Sequence, residues 1–306
     1  MEQPWEADVE IDESVAAGLI DRQFPELAPA DPAPFGNGWD NAAFLVGGRL
    51  VFRFPRRLVA AHLMEHEIRI LPMLAPRLPL RITAPQFVGE PEDDYPYRFA
   101  GYERIEGQTA CRAAPTDAER MDMARPLAEF LHTLHSIPID DETLAWAPGD
   151  EIGRTDLPRI AAKIAERLRA QASMPPGVDL EEVVALASHL ADRSRHFGPV
   201  RWVHGDLYAR HLILDDRRRL IGIIDWGDVH LGDPALDLSV AWSYLPPAAR
   251  AAFREAYGPI SEAAWDRARF RALHYGAVLI EYGATRGDDP IRAVGEDALR
   301  FALAGD

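Results

Sequence analysis

Cysteine is almost missing from this chain. Cys111 stands alone among 306 residues, so no internal disulfide can form and no cluster of thiolates can hold a metal. Lysine is equally scarce: Lys163 is the only one, which constrains any mechanism that requires a lysine. No run of about 18 apolar residues occurs, which excludes a hydropathic transmembrane helix. The opening MEQPWEADVEIDES has neither a basic region nor an apolar core, so no signal peptide is expected and a reducing cytoplasm is the expected location. Positive charge is in deficit too. A formal net charge of −16 argues against nucleic acid or an anionic membrane as partner. The acidity serves solubility, or it draws a cationic substrate to a cleft.

What is present suits a globular enzyme. Hydrophobic residues make up 47% and charged residues 27%, and 306 residues suffice for two packed lobes. Residues 14–24 read as a short helix with Ser14 as its N-cap, followed by a proline-rich stretch from Pro25 to Pro34. The segment PFGNGWDNAAFLVGGRLVFRFP predicts a hairpin, with strands over Ala43–Val46 and Leu50–Phe54 joined by Gly47-Gly48. Val51 and Arg53 should share one face of the second strand, Phe52 and Phe54 the other. A helix is expected from Leu58 to Leu74, with further strands near Gln86–Val88 and Phe99–Ile105. Beyond, helices are expected over 117–134 (kinked at Pro126), 157–172, 180–197, 247–257, 261–282 and 291–303.

The densest chemistry lies in VRWVHGDLYARHLILDD and RLIGIIDWGD, residues 200–216 and 219–228. Two β-branched runs, Leu212–Leu214 and Leu220–Ile224, flank the polar DDRRR and predict a hairpin. That hairpin would fold Asp225 back beside the loop carrying His204, Asp206 and His211. Phosphoryl transfer needs alignment and charge neutralisation more than covalent help. One carboxylate to orient an acceptor hydroxyl and a second to hold Mg²⁺ would meet that need. A competing reading gathers His204, Asp206, His211 and Asp225 around Zn²⁺ or Mn²⁺ in a hydrolase.

The segment resembles the catalytic and metal loops of the aminoglycoside/macrolide phosphotransferase family, distant relatives of protein kinases. The resemblance runs from PFGNGWDN to the last helices, and it implies a bilobal α+β protein-kinase-like fold. Residues 1–102 would form a small β-rich nucleotide-binding lobe, 103–107 a hinge, and 108–306 a larger helical lobe with the acceptor pocket. His204-Gly-Asp206 resembles the catalytic motif, with Asp206 in the catalytic position. Ile224-Asp225-Trp-Gly227 resembles the metal motif, with Asp225 as the Mg²⁺ ligand. Arg53 stands where the family's phosphate-contacting lysine is expected, and Glu67 where that lysine's partner is expected. An arginine can grip phosphate oxygens in a fork, so the substitution preserves the role. Gly36, Asn37, Gly38 and Asn41 occupy the nucleotide loop; Tyr102, Glu103 and Ile105 occupy the hinge beside the nucleotide. His211 replaces the usual asparagine and is carried over as a metal ligand, direct or through a water.

The resemblance also implies GTP or ATP as donor and a small-molecule antibiotic as acceptor. The Asp-Leu-Tyr208-x-x-His211 form of the loop is similar to the macrolide branch, with an amino-sugar hydroxyl as the phosphorylated group. An aminoglycoside, or a metabolite acted on by a kinase of the same fold, is the alternative. Tyr208, Asp237, Tyr275 and Tyr282 are candidates to touch the acceptor, although tyrosines at this spacing on a helix also suit a plain core. Asp237 could equally brace a loop, and His204 could brace its own loop through backbone hydrogen bonds. A monomer or weak dimer is expected.

Overall fold

The computed structural model of the protein describes residues 8–37, 41–194 and 197–305. The chain divides into two compact units. The first comprises Met1–Arg77, Arg81–Ile105 and Asp225–Asp228; the second comprises Leu78–Leu80, Glu106–Ile224 and Val229–Asp306. Besides Leu78–Leu80, two segments fall otherwise than the expected lobes place them. Residues 225–228 lie in the helical half of the sequence but pack with the first unit, whereas Glu103 and Ile105 of the expected hinge belong wholly to that unit.

The first unit is built on strands β1 (Ala33–Asn37), β2 (Asn41–Val46), β3 (Leu50–Pro55), β4 (Pro85–Gly89) and β5 (Phe99–Glu103). They form an antiparallel sheet in the order β1-β2-β3-β5-β4. Gly47 and Gly48 both adopt positive φ, +58° and +70°, as the two-residue turn between β2 and β3 requires. In β3 the alternation of period two holds from Leu50 to Phe54: Leu50, Phe52 and Phe54 are buried while Val51 and Arg53 point to the other face. The inward face joins Phe44, Tyr95 and Phe99 with Ala16, Leu19 and Ile20 of helix α1 (Glu13–Gln23), and the Phe54 and Phe99 rings stack at 4.5 Å. Each such phenylalanine contributes about 1.5–3 kcal/mol by burial. Asp12, and not the expected Ser14, caps α1: its carboxylate accepts the Val15 N–H at 2.9 Å. Helix α2 (Leu58–Leu74) turns Met64, Glu67, Ile70, Leu71 and Leu74 inward.

The second unit combines short strands with long helices. Strands β6 (Gln108–Thr109), β7 (Arg201–Val203), β8 (Leu212–Leu214), β9 (Leu220–Ile223) and β10 (His230–Gly232) pair as the predicted β8–β9 hairpin, with β6 on the far side of β8, and as a separate β7–β10 ribbon. The principal helices are α3 (Ala124–Ser136), α4 (Leu157–Arg169), α5 (Leu180–Arg193), the short α6 (Ala235–Leu238), α7 (Arg250–Tyr257), α8 (Glu262–Arg286) and α9 (Asp289–Ala304). The expected kink at Pro126 is absent. The chain instead breaks at Met123, which places Pro126 in the first turn of α3, where a missing N–H costs nothing. Helix α8 is the centrepiece and packs most extensively against α9. Gly295 permits that closeness, since a Cβ there would lie 2.8 Å from the Ile280 nitrogen. Among the described residues no helix is long and apolar enough to cross a membrane.

Candidate active site

In the first unit, four of the sequence-predicted residues form one cluster. Arg53 leaves the polar face of β3 and donates through one nitrogen to both oxygens of Glu67, at 3.0 and 2.9 Å. Its other terminal nitrogen lies 3.7 Å from the Asp225 carboxylate. Glu67 is 1% exposed, and the Tyr102 hydroxyl donates to it at 3.0 Å. Burial works against the charge of Arg53, but Glu67, Tyr102 and Asp225 more than offset it and keep the guanidinium firmly protonated. For Glu67 the balance differs. Burial pushes its carboxyl above the ordinary range, against the opposing pull of Arg53, and the nearby Asp225 charge adds to the rise.

Asp225 itself is open, with 52% of its side chain exposed, and its backbone sits at φ +65°. Such a left-handed conformation costs an aspartate roughly 1 kcal/mol or more and persists only where the surroundings impose it. Gly227 follows with its bare Cα beside Glu67; a Cβ there would be 3.5 Å from Oε1. Tyr102 departs from expectation, because its side chain is buried against Met64 and Glu67 and only its backbone is left to meet a ligand. Glu103 is half-exposed and engages Arg81 and Gln86, while Ile105 is buried. Gly36 lies exposed in β1, and Asn41 begins β2 with a buried Oδ1 that has no partner among the described residues. Gly38 lies outside the described residues.

The second unit holds the other cluster. The His204–His211 loop connects β7 to β8 and is braced from beneath. Asp237, expected as an acceptor contact, is 0% exposed and cannot meet a ligand. Its two oxygens accept the backbone N–H groups of His204 at 2.7 Å and Gly205 at 2.9 Å, and His135 Nε2 at 3.2 Å. Burial opposes the Asp237 charge, but His135, His204 and the Gly205 amide outweigh it and hold the carboxyl below its ordinary range.

His204 donates from Nε2 to the Ile224 carbonyl at 3.0 Å and accepts the Asp206 N–H at Nδ1. Both ring nitrogens are thus committed to backbone, and burial, helped by His211, depresses its basicity. The transition-metal reading loses a ligand. Among the described residues, moreover, no group of three or more His, Cys, Asp or Glu is arranged to hold a metal. His211 donates from Nδ1 to the Asp206 carbonyl at 2.7 Å, and its main-chain oxygen accepts from Ile224, so the residue preceding Asp225 is tied to this loop twice.

Asp206 is half-buried at the mouth of the loop. Tyr275, expected to line an acceptor pocket, is buried instead, and its hydroxyl donates to Asp206 Oδ1 at 3.0 Å. Tyr208 packs its ring 5.6 Å from Tyr275 and 4.4 Å from His211. Tyr282 stands apart from this group and meets Arg210 at 3.5 Å. Sequence reasoning did not single out His135, Tyr257 or Arg271. His135 carried a legible signal, a polar residue on the apolar stripe of α3 with Ala128 and Leu131, and its Nδ1 lies 2.9 Å from the Tyr257 hydroxyl. Nothing local marks the other two.

Comparison with known proteins places this geometry. APH(2'')-IIia, solved as a complex with GDP and kanamycin, superposes with a TM-score of 0.67 at 23% identity, covering 95% of this chain and 99% of that one. A macrolide 2'-phosphotransferase of type I superposes at 0.64 with 21% identity, over 96% and 98% of the two chains. Among curated proteins, the uncharacterized YcbJ of Bacillus subtilis strain 168 is 27% identical over 124 residues. That match spans 38% of this chain and 36% of YcbJ, so the chain covers about a third of that relative. The expected bilobal protein-kinase-like α+β fold is therefore the fold of this protein. The sequence profile of the APH phosphotransferase enzyme family matches residues 31–273, the span that carries both clusters except Tyr275, and the chain belongs to that family.

Proposed function

We propose that this protein transfers the γ-phosphate of GTP or ATP to a hydroxyl of a small-molecule antibiotic, with a macrolide amino sugar as the acceptor class. The observation that carries the reading is the state of Asp206: a half-exposed carboxylate on a loop whose amides are pinned by the buried Asp237. In this role Asp206 orients the acceptor hydroxyl and takes its proton as the new O–P bond forms. The bond from the γ-phosphorus to its bridging oxygen breaks, and GDP or ADP leaves. Arg53 grips phosphate oxygens, and Glu67 sets the direction of its guanidinium. Gly36, Asn37, Gly38 and Asn41 supply the loop over the phosphates. Main-chain groups of Tyr102, Glu103 and Ile105 receive the base.

The residues fit a magnesium ion. Mg²⁺ takes one or two carboxylates and keeps waters and phosphate oxygens as its remaining ligands, so the open Asp225 carboxylate suffices without a protein cage. His211, a nitrogen donor already oriented by the Asp206 carbonyl, suits a contact through water better than direct ligation. When bound, the ion neutralises charge on the phosphate oxygens. The macrolide preference rests on the Asp-Leu-Tyr208-x-x-His211 form of the catalytic loop and on similarity to the macrolide 2'-phosphotransferase. The kanamycin-bound neighbour and the net charge of −16 favour an aminoglycoside as the second reading.

One screen tests this: nucleotide consumption and product mass with Mg²⁺, ATP or GTP, and a panel of macrolides, aminoglycosides and choline-like alcohols. A single added phosphate on erythromycin is expected, with GTP at least as good a donor as ATP. Asp206→Asn should remain folded and lose about a thousandfold in turnover. Modification of kanamycin alone would move the acceptor to the second reading, and a folded Asp206→Asn variant at full rate would remove Asp206 from its role.

A further inference from the structure

We infer that Tyr275, backed by Arg271, is a positioning residue that selects which oxygen of Asp206 receives the acceptor's proton. The inference rests on the kinase reading above and adds to it a second-helix support for the catalytic carboxylate.

An aspartate side chain turns easily about its terminal torsion, which is broad and two-fold, so a free Asp206 would present either oxygen to an incoming hydroxyl. Here one oxygen is engaged. The Tyr275 hydroxyl, arriving from the middle of α8, donates to Oδ1 at 3.0 Å. Oδ2 lies 4.0 Å from His211 Nδ1, but that nitrogen's proton already goes to the Asp206 carbonyl at 2.7 Å. Asp206 is therefore clamped at its backbone by His211 and at one carboxylate oxygen by Tyr275. Oδ2 remains as the proton acceptor.

The direction of the phenol's hydrogen bond is also set. Arg271, one turn earlier on α8, reaches the Tyr275 oxygen at 3.5 Å, and its guanidinium lies 4.5 Å over the ring. A guanidinium can only donate. The phenol oxygen therefore accepts on the Arg271 side, and its own proton points to Asp206. Burial, with the Asp206 charge, raises the Tyr275 pKa well above its ordinary value despite Arg271, so the hydroxyl stays a donor across the working pH range. The Tyr208 ring packs 5.6 Å from that of Tyr275 and limits its movement.

Water can replace the unknown alcohol as acceptor, so slow hydrolysis of Mg-ATP or Mg-GTP reads the same carboxylate. Tyr275→Phe keeps the ring packed with Arg271 and Tyr208 and removes only the hydroxyl. Its turnover should fall about tenfold with the nucleotide KM unchanged, since only placement of the nucleophile is lost. In an Asp206→Asn background the same change should lower the residual rate no further, because Tyr275 acts through Asp206. Arg271→Met should show a smaller loss with the same dependence on Asp206, and it carries the test if Tyr275→Phe lowers the melting temperature. A Tyr275→Phe enzyme at wild-type turnover overturns the inference. So does a loss of equal factor with and without Asp206, which would mark a merely structural or substrate-contacting ring. If the wild-type protein consumes neither nucleotide, with water or with any alcohol of the panel, the kinase reading itself fails and the inference falls with it.

Discussion

Among the described residues each unit buries one carboxylate completely, Glu67 in the first and Asp237 in the second, and the two solve the problem in opposite ways. Glu67 is partnered by side chains: the guanidinium of Arg53, the phenol of Tyr102, and at a distance the like charge of Asp225. Its proton affinity is raised. Asp237 takes two successive amides of the His204–His211 loop along with His135, and its proton affinity is lowered, by His135 first and then by His204 and the Gly205 amide. Side-chain partners can be shared or surrendered. Arg53 is held by Glu67 and still reaches towards Asp225, so one partner can be exchanged for another. Main-chain partners cannot be surrendered without dismantling the loop. Asp237 is accordingly a builder of the site and Glu67 an adjuster within it.

Removing each carboxylate's support should therefore have unequal consequences. The largest belongs to Asp237→Ala, which strands two buried amides and His135. A loss of about 3–5 kcal/mol is expected in urea denaturation followed by tryptophan fluorescence. A loss under about 1 kcal/mol would mean that the loop holds itself. Arg53→Met should cost less, about 2 kcal/mol, because Glu67 can take up a proton rather than remain a stranded buried charge. That cost should shrink as the pH is lowered from about 8 to about 5.5, as Glu67 neutralises. A pH-independent penalty would contradict the assignment of Glu67 as the adaptable member.

The smallest effect is the pH response of the intact protein, where the two clusters pull in opposite directions. His204 is held neutral, with its affinity for protons below the unfolded value. The stability it contributes is present above about pH 6.5 and is lost as the pH falls. Asp237, also depressed, adds a similar loss further into the acid range. Glu67, raised, gains stability on acidification and offsets part of both. Urea midpoints should therefore decline gently between about pH 7.5 and about pH 5.5, and His204→Gln should flatten that decline. Midpoints rising with acid throughout would show that the Glu67 cluster dominates.

Much of this arrangement was legible without coordinates, wherever the deciding forces act between near neighbours. The β2–β3 hairpin follows from Gly47-Gly48 and a period of two; α2, α8 and α9 follow from apolar residues at helical spacing. The β8–β9 hairpin follows from two β-branched runs around DDRRR, and the pairing of Arg53 with Glu67 from the family resemblance. Local reading failed where two local signals compete. Pro126 was expected to bend a helix, and the chain avoided the cost by starting a new helix before it. Ser14 and Asp12 could each cap α1, and two residues of register decided for Asp12.

By itself, then, the sequence determined the two hairpins, most of the longer helices, the two motifs and the family, because turn chemistry, periodicity and short motifs are properties of residues within a few positions of one another. Only the tertiary structure decided the duties of the residues around them. Tyr275 could be read as pocket lining or plain core and holds Asp206 across 69 positions; Asp237 could be read as an acceptor contact or a loop brace and pins two amides 32 and 33 positions away; Tyr102 was placed in the hinge and is buried on Glu67. A side-chain hydrogen bond over such separations leaves no periodic trace. Its existence depends on where α8 and α6 come to rest against the loop, and that is fixed by the packing of the whole unit.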